Sequence, residues 1–87
     1  MSDEVFITNY PQLPFVLRAE HVTANIIGSM VEFEWEFRNS GVEATVKGEL
    51  LRIAHDGRKT FLILGGGRGG VEEFEVDHMT KVSVIES

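Results

Sequence analysis

Cysteine is absent from this 87-residue chain, proline occurs twice, and tryptophan and tyrosine occur once each. Without thiols there is no disulfide framework and no cysteine-ligated zinc or iron–sulfur centre. Basic side chains are scarce, 8 against 14 acidic ones. The resulting charge of −6 argues against a general duplex-binding protein, because phosphate contacts need Lys and Arg. No apolar run approaches the ~18–20 residues of a membrane-crossing helix. Met1-Ser2-Asp3-Glu4 lacks the basic-then-apolar order of a secretory leader. A cytoplasmic protein without membrane contact is therefore expected. What is present is ordinary for a folded domain, 43% apolar and 25% charged residues, so wholesale disorder is excluded. One domain over residues 1–87 is expected at this length, divided into an N-terminal arm or short helix (1–29) and a β-rich body (30–87).

The N-terminal third carries conflicting signals. Val5-Phe6-Ile7 is a short apolar run that ends at Thr8-Asn9-Tyr10-Pro11, and Pro11 and Pro14 predict a turn or extended arm over residues 8–14. Val22, Ile26 and Met30 form a stripe at helical spacing. The β-branched Val22, Thr23, Ile26 and Ile27 favour a strand instead. Both remain open over 18–28, with a short helix or irregular segment as the expectation and Gly28-Ser29 as its end.

Beyond residue 30 the pattern is clear. Val31, Phe33, Trp35 and Phe37 alternate with Glu32, Glu34, Glu36 and Arg38, a strand with one apolar and one acidic face. A Ser40-Gly41 hairpin loop would set Phe37 opposite Ala44, Trp35 opposite Val46 and Phe33 opposite Gly48, with Arg38 beside Glu43. A four-residue loop over 38–41 would set Glu36 against Glu43, and the charge pairs favour the first register. After Gly48, Leu50, Leu51 and Ile53 break the alternation, as where a strand bulges or curls into a barrel. Asp56-Gly57 predicts a second hairpin pairing Ile53 with Thr60. Thr60–Leu64 reads as a central strand, residues 65–70 as a mobile glycine loop, Val71–Val76 as a fourth strand, Asp77-His78-Met79-Thr80 as a tight turn and Val82–Ile85 as a last strand pairing elsewhere. The fold class expected is mainly β, a small five-stranded SH3-like or Sm-like barrel.

Few residues point to chemistry. His21, His55 and His78 lie in unrelated segments without zinc-ligand spacing. Trp35 shares the phase of Phe33 and Phe37 and belongs to the core. The Gly65–Gly70 run opens a strand rather than a helix, so it is neither a Walker loop nor a dinucleotide fingerprint. No activated nucleophile or acid–base pair is visible, so no catalytic, cofactor or metal site is expected. Two partner-binding candidates remain. Glu32, Glu34 and Glu36 form an acidic stripe suited to a basic partner surface, or simply a solvated face. Between Lys47 and Arg68 five basic residues face two acidic ones, a local +3 that leaves −9 for the rest of the −6 chain. Arg52, His55, Arg58 and Lys59 make a basic prong there, and Arg68 sits in the glycine loop; the plain account is ordinary solvation, the functional one a contact for phosphate or an acidic loop.

The layout Val42–Ile53, Phe61–Leu64 and Phe74–Val82, with a Gly in the second strand and a one-turn break before a valine-rich last strand, resembles bacterial Sm-like small barrels. Among them it is most similar to the Rof-type transcription antiterminators, acidic proteins that bind and inhibit the termination factor Rho. The resemblance implies a bacterial or phage regulator acting by protein–protein contact. The Asp-x-x-x-Asn loop and the Arg-Gly of RNA-binding Sm proteins do not occur at Ala54-His55-Asp56-Gly57 and Val76–Val82, and no partner-contacting residue carries over. The first expectation is thus a non-enzymatic regulatory or inhibitory module with a protein partner. Single-stranded nucleic acid held by the Arg52–Lys59 hairpin and Arg68 comes second, and a structural subunit of a phage or other assembly third.

Overall fold

The computed structural model describes residues 13–37 and 39–86. Expectations that fall on residues 1–12, and the pairing of Arg38 with Glu43, lie outside the described residues. Six strands follow in order: β1 (Phe15–Arg18), β2 (Met30–Glu36), β3 (Glu43–His55), β4 (Lys59–Gly65), β5 (Val71–Asp77) and β6 (Lys81–Glu86). Two single-turn 3₁₀ segments, Ala19–His21 and Ala24–Ile26, lie between β1 and β2. The conflict over 18–28 thus resolves into two turns and a bend. The β-branched run disfavours a continuous helix, and Val22 and Ile26 turn toward the core from the two short turns. Phe15–Arg18 forms a strand that its four residues are too few to announce by alternation.

The strands form one antiparallel sheet in the order β1-β6-β2-β3-β4-β5. This corrects the expected five-stranded closed barrel: there are six strands, and no ladder joins β5 to β1 among the described residues. The 3₁₀ turn that follows β1 takes the place of that ladder. Ala19 N donates to Thr80 O at 2.7 Å and Glu20 N to His78 O at 3.0 Å, which ties the turn to the β5–β6 connection. The sheet nevertheless curls. Phe74 of β5 meets Phe33 and Trp35 of β2 edge-on, at centroid distances of 5.5 and 5.1 Å, although β3 and β4 separate the two strands in the sheet. As expected, the last strand leaves its sequence neighbour: β6 lies between β1 and β2. The turn before it closes through Thr80 N to Asp77 O.

Curling rests on β3, whose 13 residues pair with β2 over one half and with β4 over the other. The register shifts between Leu50 and Arg52, a bulge at Leu51 where the alternation of the sequence fails. Gly48 lies opposite Val31, not under Phe33. A Cβ there would sit 3.0 Å from the Gly65 carbonyl oxygen and 3.2 Å from Leu64 Cβ. Val31, Phe33, Leu50, Leu62, Leu64, Val76, Val82 and Val84 fill the concave side together with Ala19 and Val22.

Both hairpin registers differ from expectation by two residues. In β2–β3, Trp35 faces Ala44, Phe33 faces Val46 and Glu36 faces Glu43. The loop is the four-residue one, closed by Gly41 N to Phe37 O at 2.8 Å with Gly41 at φ +72°, where glycine is free of strain. At the far end Gly28 N donates to Leu50 O and Leu50 N to Ser29 O. Backbone bonds worth about 0.5–1.5 kcal/mol each outweigh a surface charge pair of about 0.2–1 kcal/mol. In β3–β4, His55 faces Thr60 and Ile53 faces Leu62. The Asp56 carboxylate accepts from the Arg58 and Lys59 amides, each at 2.7 Å. Asp56 therefore starts the turn instead of occupying its tip.

The two glycines of the bend differ in what opposes a side chain. Gly48→Ala meets backbone and a buried Leu64, and a loss of about 1–3 kcal/mol is expected. Gly65→Ala meets only the tip of Leu51, at 2.9 Å, and should cost under about 1 kcal/mol. Urea unfolding followed by Trp35 fluorescence checks the order.

Candidate functional site

The three glutamates of β2 fare differently. Glu32 is half-buried and lies across from Lys47. Glu34 accepts a hydrogen bond from Thr45 Oγ1 at 3.0 Å. Glu36 stands opposite Glu43, a like-charge pair that costs energy unless solvated or met by a cation. Among the described residues no basic group lies within ion-pair distance of Glu34, Glu36 or Glu43. The same hairpin end leaves Phe37 51% and Val42 56% exposed, with Phe37 N donating to Val42 O. It is an apolar pair beside three carboxylates.

The basic prong does not form one surface. Arg52 projects from the middle of β3, paired with Ile63. Arg58 is exposed at the hairpin tip, where its amide is held by Asp56. Lys59 Nζ is 2.7 Å from Asp77 Oδ1. Arg68 lies beyond the other end of β4, whose 7 residues span about 20 Å. The local +3 is therefore divided between two ends of a strand.

His55 acts as a clamp. Its Nδ1 lies 2.9 Å from Thr60 Oγ1 and its Nε2 2.9 Å from the Val22 carbonyl oxygen. A carbonyl only accepts, so Nε2 carries the proton, and in the neutral ring Nδ1 takes that of the Thr60 hydroxyl. This fastens the segment between the 3₁₀ turns onto β4 and satisfies Thr60, which is fully buried. The His78 ring lies 6.3 Å from that of His55, centroid to centroid, and its buried Nε2 has no hydrogen-bond partner among the described residues. Sequence spacing gave no hint of this meeting, since the β3–β4 hairpin and the β5–β6 turn are 23 residues apart. Among the described residues no group of three or more His, Asp or Glu side chains is placed to hold a metal ion, and no helix is long and apolar enough to cross a membrane.

A groove of about 340 Å³ opens where β3 runs on past the end of β4. Val46, Leu64, Val71 and Phe74 wall it, with Lys47 and Arg68 at its margin and glycine-loop backbone along one side. Trp35 backs Phe74 at 5.1 Å, so the half-buried tryptophan reports on this groove. Its walls come from strands that only the topology brings together.

Two measurements test the β3–β4 end. His55→Ala strands the Val22 carbonyl and the buried Thr60 hydroxyl and should cost about 1–3 kcal/mol, whereas Arg58→Ala should leave stability unchanged within about 0.5 kcal/mol; thermal unfolding compares them. The amides of Arg58 and then Lys59, with help from the charges of His78 and Lys59, hold the Asp56 carboxyl below its ordinary value of 3.8. Because the folded value is the lower, this contribution is present above pH 3.8 and fades as the pH falls through the depressed folded value. An Asp56→Asn chain, which keeps an acceptor but no charge, should show a shallower acid limb. Comparison with protein-family models, curated proteins and solved structures yields no match.

Proposed function

We propose that the chain is a non-enzymatic binding module that engages a protein partner through the loop end of the β2–β3 hairpin. The observation that carries this reading is the pair of faces at that hairpin end: Glu34, Glu36 and Glu43 stand on one face without a basic partner among the described residues, and Phe37 and Val42 lie exposed on the other. Exposed apolar side chains and a row of like charges within one hairpin end offer the two kinds of contact that a protein interface combines. The acidic face selects a basic partner surface and accelerates encounter with it. Such a contact acts by occlusion, in keeping with a regulatory or inhibitory role of the kind the Rof resemblance implies. A nucleic-acid track through Arg52, His55, Arg58, Lys59 and Arg68 has less support, since His55 and Lys59 are engaged within the fold and Arg68 lies at the far end of β4.

Quantitative pull-down from bacterial lysate with the wild-type chain and a Glu36→Lys/Glu43→Lys chain is the test. A partner retained by the first and weakened at least about tenfold in the second, with stronger capture at low salt, is expected. Equal recovery by both chains would remove this reading.

A further inference from the structure

The hydrogen-bond pattern of β3 shows which of its backbone groups are spare. Phe37 N donates to Val42 O, Leu50 N to Ser29 O and Gly28 N to Leu50 O. These bonds fix the even-numbered residues of β3 as those whose N–H and C=O point toward β2, since the two edges of a strand alternate. The odd-numbered residues Glu43, Thr45 and Lys47 therefore direct their N–H and C=O to the other edge. On that edge β4 begins its pairing only at Glu49, opposite Gly65. Among the described residues Glu43, Thr45 and Lys47 thus face no strand there.

The open edge borders an apolar strip on the concave side. Val46, Trp35 and Phe74 are partly buried and pack against the core, while Phe37, Val42 and Val71 are 51%, 56% and 64% exposed. The groove beside Val46 and Lys47 continues the line of β4. Among the described residues it combines a strand edge that no ladder occupies with alternate apolar contacts and a groove bordered by the glycine loop. That is what strand addition requires.

We infer that this lane takes an extended segment of the partner as an added strand, pairing with Glu43, Thr45 and Lys47. The inference rests on the reading of the chain as a protein-binding module and names the form its partner takes. Alternate residues of the added strand point into the concave side against Val46, Trp35 and Phe74, and are apolar. The others lie on the convex side beside Glu43, Thr45 and Lys47, with Glu34 and Glu36 one strand further on. Three carboxylates against one ammonium group make that side acidic, so these residues are basic. The segment is an alternating apolar–basic one.

A dye-labelled six-residue peptide of alternating Val and Lys is the probe, followed by fluorescence anisotropy and by Trp35 emission. Saturable binding is expected, weakened at least about tenfold when Glu replaces Lys in the peptide. Methylation of alternate peptide nitrogens on the pairing edge should abolish binding whatever the variant proteins do. Thr45→Pro and Lys47→Pro remove an outward donor while sparing the bonds to β2, and should weaken binding at least about tenfold. Thr45→Ala and Lys47→Ala keep the backbone and should bind within about threefold of wild type. Absence of saturable binding, equal binding of the Glu peptide, or insensitivity to peptide N-methylation would overturn the inference. So would sedimentation showing a self-dimer that Lys47→Pro abolishes, which assigns the lane to a second copy. Loss of lysate capture in Glu36→Lys/Glu43→Lys but not in Lys47→Pro would sink strand addition and leave the hairpin contact standing.

Discussion

The structure depends on how closely two backbones approach at Gly48. The Gly65 carbonyl lies where a side chain on Gly48 would begin, 3.0 Å from a Cβ placed there. A residue without that atom lets β3 approach Gly65 and bend to serve two halves of the sheet at no steric cost. The bulge at Leu51 follows immediately and re-phases the strand, so that Leu50 before it and Ile53 after it both turn toward the core. From this bend follow the meeting of Phe74 with Phe33 and Trp35, the concave core, and the stretch of β3 that β4 does not reach.

The ends of the curl are secured without a ladder. A 3₁₀ turn bonded to the β5–β6 connection and a histidine reaching from β3 to Val22 O hold the N-terminal segment across the opening. These bonds bridge residues far apart in the chain, His55 and Val22 by 33 positions. The His55 clamp therefore ties the segment after β1 to the β3–β4 hairpin through one ring whose two nitrogens each have a partner.

The parts of this architecture that were legible in the sequence are those set by local alternation. The β2 strand, the central character of β4, the irregularity after Gly48, the glycine loop and the turn at Asp77–Thr80 all declare themselves within a few residues. Hairpin register did not, because it was weighed by side-chain charge. The actual constraints were the backbone bonds at Gly41 and Leu50 and the amide-binding carboxylate of Asp56. Strand β1 was missed because four residues are too short to establish a period. The barrel expectation failed at one junction, where a turn stands in for a strand pairing. Of the site residues, Glu34 and Glu36 keep the exposure read from the sequence. His55 and Lys59 are drawn into the fold by partners, Thr60, Val22 and Asp77, that no spacing rule connects to them.

The phase of β3 has a consequence for how such a surface changes over time. At Glu43, Thr45 and Lys47 the main chain faces the open lane, while the side chains stand on the convex side, away from the core. In the proposed contact, grip and preference are thus carried by different atoms of the same three residues. Exchange of a carboxylate for a lysine there changes the charge presented without altering the backbone groups, and no core contact must be rebuilt. With strand addition as proposed, such a chain would shift its preference from one partner sequence to another in single steps, each intermediate still folded.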